Sequence, residues 1–354
     1  MRQGFRSLLL LMIVLIVIVP ATASEAPTGA GLPKIHIIAT GGTIAGTAPS
    51  ATDLVRYEPG TLSVEALMAS VPGLEGRAIV TGEQFSNLNS DDMTPAHWLN
   101  LSRRVNTLLD SGDADGIVIT HGTDTLEETA YFLSLVTPEG KPVVITGSMR
   151  PATALSADGP LNLWNAVILA ASREAVGKGV LISLNGEING ARDTTKTNTV
   201  STGTFRSLTF GPLGYMDDGK VRFYYLPVRN RTTAPAFNVT GIDSLPRVDM
   251  VAVYPGMDTT AIDAFVARKT RGLVIAGMGN GEYPEAIHAS LQAAVDQGIP
   301  VVISSRTGSG ITTAKDDRFI SADTLSPQKA RILLMLALTR TQDMAEIAGM
   351  FREY

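Results

Sequence analysis

Residues 34–46 read KIHIIATGGTIAG, and the fold follows from how that stretch is parsed. Ile35, Ile37 and Ile38 form a short apolar, β-branched run of the kind that fills a strand buried on both faces. Gly41 and Gly42 let the backbone turn where a Cβ would clash, and Thr43 opens a second apolar segment. A hydroxyl is thereby presented at the carboxyl end of the first strand, where open α/β sheets place their ligands. A dinucleotide fingerprint is the rival parse, but GxGxxG spacing requires glycine at position 43, where this chain has threonine. On this segment alone, a structural turn and a reactive threonine both remain open.

Toward the amino terminus, Arg2 and Arg6 precede an apolar run from Leu8 to Val19, followed by Pro20 and Ala21-Thr22-Ala23. That layout predicts a secretory signal peptide over residues 1–23, cut after Ala23. The run falls short of the roughly 20 residues a spanning helix needs, so no membrane association is expected after cleavage. For a bacterial chain the destination is the periplasm. The remainder is long enough for two ordinary domains of about 100–200 residues each.

The chain has 29 Lys and Arg against 34 Asp and Glu, a formal net charge of −5, with no basic patch to hold nucleic acid. It contains no cysteine, which rules out disulfides and Cys-ligated zinc. Its four histidines, His36, His97, His121 and His288, are far apart and none lies in HExxH, so no metal or cofactor is expected.

Toward the carboxyl terminus, strands and helices alternate. The pattern predicts a short helix over Thr61 to Ser70 and a strand over Arg77 to Phe85. A helix follows, capped by Thr94-Pro95 and stopped at Ser111-Gly112. Strands follow at Gly116 to Thr120, Pro142 to Thr146 and Gly179 to Leu184, with helices starting near Thr125 and Asp158. This βαβ series predicts a mostly parallel sheet flanked by helices. The rhythm breaks between Asn185 and Pro246, where Asp218-Gly219 marks a hairpin turn. Alternation resumes from Arg247, predicting a smaller second α/β domain. The expected organisation is therefore an N-terminal domain over 32–227, a linker over 228–246 and a C-terminal domain over 247–354. Trp98 and Trp164 read as core.

Chemistry gathers at the strand ends of the first domain: Thr43, Ser90-Asp91, Thr123-Asp124 and Ser148. A parallel sheet brings these to one edge, joining hydroxyls and carboxylates in one cleft. Hydroxyls are weak nucleophiles at neutral pH and need a base or proton relay. Lys196, in DTTKTNT, is the natural partner for Thr123; Asp124 beside it favours the charged form, so Lys196 is read as orienting and polarising that hydroxyl. Tyr57, fourteen residues after Thr43 on an expected loop, is placed to do the same for Thr43. Each residue also has a plain structural reading. Thr123-Asp124 and Asp91-Asp92 can cap helices, Lys196 can be a solvated loop lysine, and Tyr57 a packing aromatic. His121 reads as a hydrogen-bonded turn histidine.

Five motifs in order, TGGTIAG (40–46), ITHGTDTLEETAYFL (119–133), GSMRP (147–151), SADGPLNLWNA (156–166) and RDTTKTNT (192–199), give the chain a close resemblance to the bacterial type II L-asparaginase family. The resemblance runs from Leu32 to Tyr354. It implies hydrolysis of the side-chain amide of L-asparagine, with L-glutamine as a related substrate, through a threonine acyl-enzyme. Thr43 matches the family's nucleophile and Tyr57 the tyrosine of its mobile lid. Ser90 matches the serine on the substrate α-carboxylate, and Asp124 the aspartate on its α-ammonium. Thr123 and Lys196 match the rest of the Thr-Lys-Asp triad, and Ser148 the carbonyl that holds the leaving amide nitrogen. Backbone N–H groups of the Gly41-Gly42 and Gly122-Thr123 turns are expected to hold the oxyanion. The resemblance further implies a homotetramer, a dimer of intimate dimers whose sites are completed by neighbouring small domains.

Three positions depart from the pattern. Asp91 stands where strict asparaginases carry glutamine and glutaminase-asparaginases carry glutamate. Gly256 replaces an asparagine that reaches the neighbouring site, and Arg306 to Asp317 lacks a glutamate contributed across the dimer. A reading from another class, an amino-acid-binding protein with two α/β domains around a cleft, needs no hydroxyl-lysine cluster.

Overall fold

The computed structural model describes residues 31–226 and 235–354. The signal-peptide expectation for residues 1–23 lies outside the described residues. Leu32–Tyr354 forms one compact unit. It holds a larger lobe built on an eight-stranded sheet and a smaller lobe built on a four-stranded one.

The larger sheet begins with β1 (Lys34–Gly41), β2 (Ile79–Leu88), β3 (Gly116–Thr120), β4 (Val143–Thr146) and β5 (Val180–Leu184). These five are parallel, in the order β2-β1-β3-β4-β5. Chain direction across the sheet reverses between β1 and β3, and such switch points open a crevice at the strands' carboxyl ends. The hairpin expected at Asp218-Gly219 is present, and further short strands not expected from the sequence lie between Asn185 and it. β6 (Glu187–Gly190), β9 (Gly214–Asp217) and β10 (Lys220–Phe223) extend the sheet antiparallel. Between them β7 (Thr194–Lys196) and β8 (Phe205–Ser207) form a separate ribbon. Asn185 and Asp218 adopt left-handed backbone that lets such short strands turn, a signal weaker than hydrophobic periodicity.

Helices α1 (Val64–Ala69) and α4 (Gly159–Ala171) cover one face of this sheet, and α2 (Pro95–Ser111) and α3 (Leu126–Val136) the other. The apolar run of β1 divides between them: Ile35 and Ile37 join the first core, Ile38 the second. Burying each such side chain is worth about 1.5–3 kcal/mol, so β1 is anchored from both sides. Thr94 and Gly112 bound α2 as expected, with Gly112 in the left-handed conformation. Trp98 is buried and stacks on Phe132, whereas Trp164 is only half-buried, its ring lying over the turn at Gly219.

The smaller lobe carries β11 (Val248–Ala252), β12 (Gly272–Gly277), β13 (Val301–Ser305) and β14 (Ile320–Ser321), all parallel. Helices α5 (Thr260–Ala267) and α6 (His288–Asp296) cover one face. On the other, α7 (Pro327–Arg340) and α8 (Met344–Glu353) merge with the core of α2 and α3. The lobes thus share one hydrophobic layer, and α7 packs directly against α3. Within 235–246, Phe237 and Val239 are buried in that layer, so this part of the connection is packed structure. No helix among the described residues is long and apolar enough to cross a membrane.

Candidate active site

The crevice is built by contact between three loops. Gly42 has φ 79°, and a Cβ there would lie 2.3 Å from the Gly122 Cα. A Cβ on Gly122 would lie 2.7 Å from the Ser90 side chain. Only glycine at both positions lets the ends of β1, β2 and β3 meet. Thr43 follows Gly42 and Thr123 follows Gly122, so this contact sets the two hydroxyls on either side of one cleft.

The Thr43 hydroxyl lies 2.7 Å from the Tyr57 hydroxyl. Tyr57 sits on the loop after β1, closed by the Thr47–Glu58 bridge, with its ring against Gly46. Across the cleft, the Lys196 ammonium donates to Thr123 Oγ1 at 2.9 Å and to Asp124 Oδ1 at 2.6 Å. Lys196 comes from β7, and its side chain is 18% exposed, whereas Asp124 is 61% exposed. The solvated-loop reading of Lys196 therefore fails. So does helix capping by Asp124: the cap position of α3 is Thr125, and Asp124 spends its carboxylate on Lys196.

Ser90 is buried, and its Oγ accepts the Asp124 backbone N–H at 3.2 Å. Its carbonyl accepts the Thr125 hydroxyl at 2.6 Å. With Oγ already an acceptor, the Ser90 proton is left to donate to an anion in the cleft. Asp91 is exposed in the same short turn, and α2 is capped by Thr94, not by Asp91-Asp92. Ser148 is fully buried and donates to the Arg150 carbonyl at 2.7 Å. Gly147 packs on the His121 carbonyl and the Thr123 methyl, which places this turn at the back of the same crevice.

One expectation is corrected. The Gly42 N–H donates to the Leu88 carbonyl at 3.1 Å, because the β1–β2 ladder continues past a bulge to that point. It is not available to an oxyanion. The next amide, Thr43, opens a short 3-10 turn, where N–H groups lack an internal partner.

Two buried residues support this site: His121, the hydrogen-bonded turn histidine expected from the sequence, and a second that sequence reasoning missed. His121 is fully buried; its Nε2 faces the Thr129 hydroxyl at 3.0 Å, which also accepts the Trp98 indole N–H at 2.9 Å. The Thr129 proton therefore goes to Nε2, and the Nδ1–H donates to the Gly122 carbonyl at 2.8 Å. Burial pushes His121 down to about 4, so a neutral ring holds the glycine loop in place. The second support is Glu127, buried in the first turn of α3. It accepts the Lys196 backbone N–H at 2.5 Å and the Gln328 amide at 2.7 Å. A buried carboxylate three residues after Asp124 gives no sequence signal apart from its place in a first helical turn.

Among the described residues no cluster of three or more His, Cys, Asp or Glu could hold a metal ion. A mostly apolar cavity of about 380 Å³ lies elsewhere, by Tyr131, Leu135, Phe210 and Leu226. Size alone would favour it, but paired hydroxyl, lysine and carboxylate groups occur in the crevice.

Comparison with known proteins agrees with this geometry. The asparaginase N-terminal family model matches residues 34–229, and the glutaminase/asparaginase C-terminal domain matches residues 247–351. The chain is similar to L-asparaginase 2 of Bacillus subtilis (strain 168), with 47% identity covering 94% of this chain and 89% of that one. It is also similar to the glutaminase-asparaginase of Pseudomonas fluorescens biotype A, with 44% identity covering 95% and 94%. A crystal structure of a probable cytoplasmic L-asparaginase from Campylobacter jejuni superposes with a TM-score of 0.89 at 42% identity, covering 91% of this chain and all of that one.

Proposed function

The chain belongs to the asparaginase family, and from that premise we propose that it hydrolyses the side-chain amide of L-asparagine to L-aspartate and ammonia through an acyl-enzyme on Thr43. The observation that carries this reading is the pair of primed hydroxyls flanking the Gly42–Gly122 contact, Thr43 on Tyr57 and Thr123 on Lys196. Thr43 Oγ attacks the amide carbon as its proton passes to the Tyr57 hydroxyl, which gives its own proton on toward the amide nitrogen. The oxyanion is held by the Thr43 and Thr123 amides, ammonia leaves with a proton, and water, oriented by Thr123 and Lys196, hydrolyses the ester. Ser90 donates to the substrate α-carboxylate, and Asp124 accepts its α-ammonium. Ser148 closes the back of the site near the departing nitrogen, and Gly42 and Gly122 let the loops approach so that both threonines face one substrate. Amino-acid binding without turnover falls away as a rival, because the family is one of hydrolases. Ammonia release from asparagine, lost in Thr43→Ala and in Thr123→Ala, tests the assignment; normal turnover in either variant would remove that residue from the chemistry.

Asp91 favours a second specificity. Its carboxylate sits exposed beside Ser90, and a similar chain is a glutaminase-asparaginase. We read the enzyme as accepting glutamine as well, since a pocket separates substrates differing by one methylene by only about 1–3 kcal/mol. Measuring kcat/KM for both amides decides this, and a preference beyond about 10³-fold would refute it. We place the lobe division at 228–246, export to the periplasm in the leader at residues 1–23, and assembly as a homotetramer. Exposed Leu208, Phe210 and Tyr215 support association. Cell fractionation and light scattering test these; a cytosolic or monomeric enzyme would overturn them.

A further inference from the structure

Lys196 does not reach Thr123 on its own. Its strand β7 is gripped from two sides by buried groups that belong to other parts of the fold. On one side, Glu127 of α3 accepts the Lys196 backbone N–H at 2.5 Å through Oε2. The other oxygen of that carboxylate accepts the Gln328 side-chain amide of α7 at 2.7 Å. On the other side, the ammonium of Lys329, 2% exposed, donates to the carbonyls of Ala191 and Arg192 at 2.9 Å and also to that of Thr194. These carbonyls belong to the turn that feeds β7 and to the first residue of β7 itself. Glu127 lies in the first turn of α3, directly after the loop that holds Thr123-Asp124, so the hydroxyl, the carboxylate and the acceptor that fixes the lysine lie within five consecutive residues.

We propose that Glu127 is a positioning residue that sets Lys196 against Thr123, and that Gln328 and Lys329 extend this control to the smaller lobe. The inference rests on the proposed role of Lys196 in the hydrolysis. Both charges of the clamp are buried near each other. Burial pulls Lys329 down to about 8, against the opposing pull of Glu127 and Asp193. An isolated buried carboxylate is costly, whereas one that accepts two hydrogen bonds and faces an ammonium is held in a single place. A clamp that served only to glue the lobes would not need to end on the backbone of the one lysine that touches the Thr123 hydroxyl.

The test is steady-state kinetics with asparagine on the full mature enzyme carrying Glu127→Ala, Glu127→Gln, Gln328→Leu, Lys196→Ala and the double variant Glu127→Ala/Lys196→Ala, with thermal melts alongside. A displacement of about 1 Å at Lys196 costs about 10²-fold in rate, so Glu127→Ala should lower kcat by that order. Its KM, set by Ser90 and Asp124, should move by less than about threefold. Glu127→Gln should recover most of the loss, because an amide oxygen still accepts the Lys196 N–H while Gln328 turns to accept its NH2. In the Lys196→Ala background, Glu127→Ala should cost nothing further, since the effect is routed through the lysine. Should Glu127→Ala fail to fold, Gln328→Leu gives the same reading at about tenfold, because Glu127 loses one of its two hydrogen bonds and is held less firmly against the Lys196 N–H. Near-normal kcat with a lowered melting point, or losses that multiply with those of Lys196→Ala, would make the clamp mere interlobe glue and overturn the proposal. Full turnover in Lys196→Ala would instead overturn the underlying role of the lysine.

Discussion

Thr43 and Thr123 follow neighbouring strands, yet their partners are held to very different depths. Tyr57 reaches Thr43 from the loop after β1, which is tied down by the Thr47–Glu58 bridge and by hydrogen bonds to the 152–155 segment, and leaves Val55 80% exposed. Lys196 reaches Thr123 from a ribbon whose N–H sits on buried Glu127, which itself leans on a helix of the other lobe. The first contact can break while every core residue stays packed. The second can break only by stripping hydrogen bonds from buried groups, at about 1–3 kcal/mol each. One wall of the cleft is therefore free to admit substrate, and the opposite wall is assembled before substrate arrives.

The harshest way to break this comparison is to delete the hydroxyls. Thr43→Ala and Thr123→Ala should each lower ammonia release from asparagine by about 10³-fold or more, because each residue acts as part of a unit. A mild effect at Thr123 would reduce the rigid wall to scaffolding. Hydrogen exchange sharpens the contrast: the Lys196 amide should exchange at least about 10²-fold more slowly than amides of residues 50–57. Equal rates would erase the distinction.

His121 offers a pH test of the rigid wall. Its folded value, about 4, lies below its ordinary value of 6.5, so the unfolded chain binds the extra proton first. Stability is thus lost as pH falls from about 6.5 to about 4, by up to about 3 kcal/mol. Glu128 opposes this, since burial and Glu127 push it up to about 7 and it stabilises the fold as pH falls. The readout is therefore the difference between wild type and His121→Gln in denaturant melts across that window. The His121 contribution should vanish in the variant, and identical pH slopes would contradict a neutral, loop-holding ring.

The smallest effect concerns the open side of the site. Asp91→Gln should leave kcat for asparagine within a few-fold and change the asparagine-to-glutamine ratio of kcat/KM by about 1–2 kcal/mol, or about 5–30-fold. An unchanged ratio would remove Asp91 from substrate discrimination.

The chain announced its parallel half well. β1, β3, α2 and α3 are long or strongly periodic, and their ends carry glycine, threonine or proline with a steric reason to be there. β7, β8 and β14 are not legible, being two or three residues long and so too short to show a hydrophobic period. Thr43 and Thr123 could be singled out as hydroxyls at strand ends, and Lys196 as the lysine of DTTKTNT. That the Thr129–His121 chain and the Glu127–Gln328–Lys329 clamp hold them could not, because a buried Glu or Lys has the same letter as an exposed one. The Gly42 amide looks free in the sequence for a related reason. Whether an N–H is free depends on how far a ladder runs, and the β1–β2 pairing runs one bulge further than the apolar pattern of β2 suggests.

The central claim is that Thr43 is the nucleophile and Thr123 with Lys196 the relay. Its most direct test is to quench the enzyme with acid during asparagine turnover, using Lys196→Ala to slow the second step, and to map the acylated peptide by mass spectrometry. The account predicts an aspartyl ester on the peptide containing Thr43. An ester on the peptide containing Thr123, with Thr43 unmodified, would contradict it.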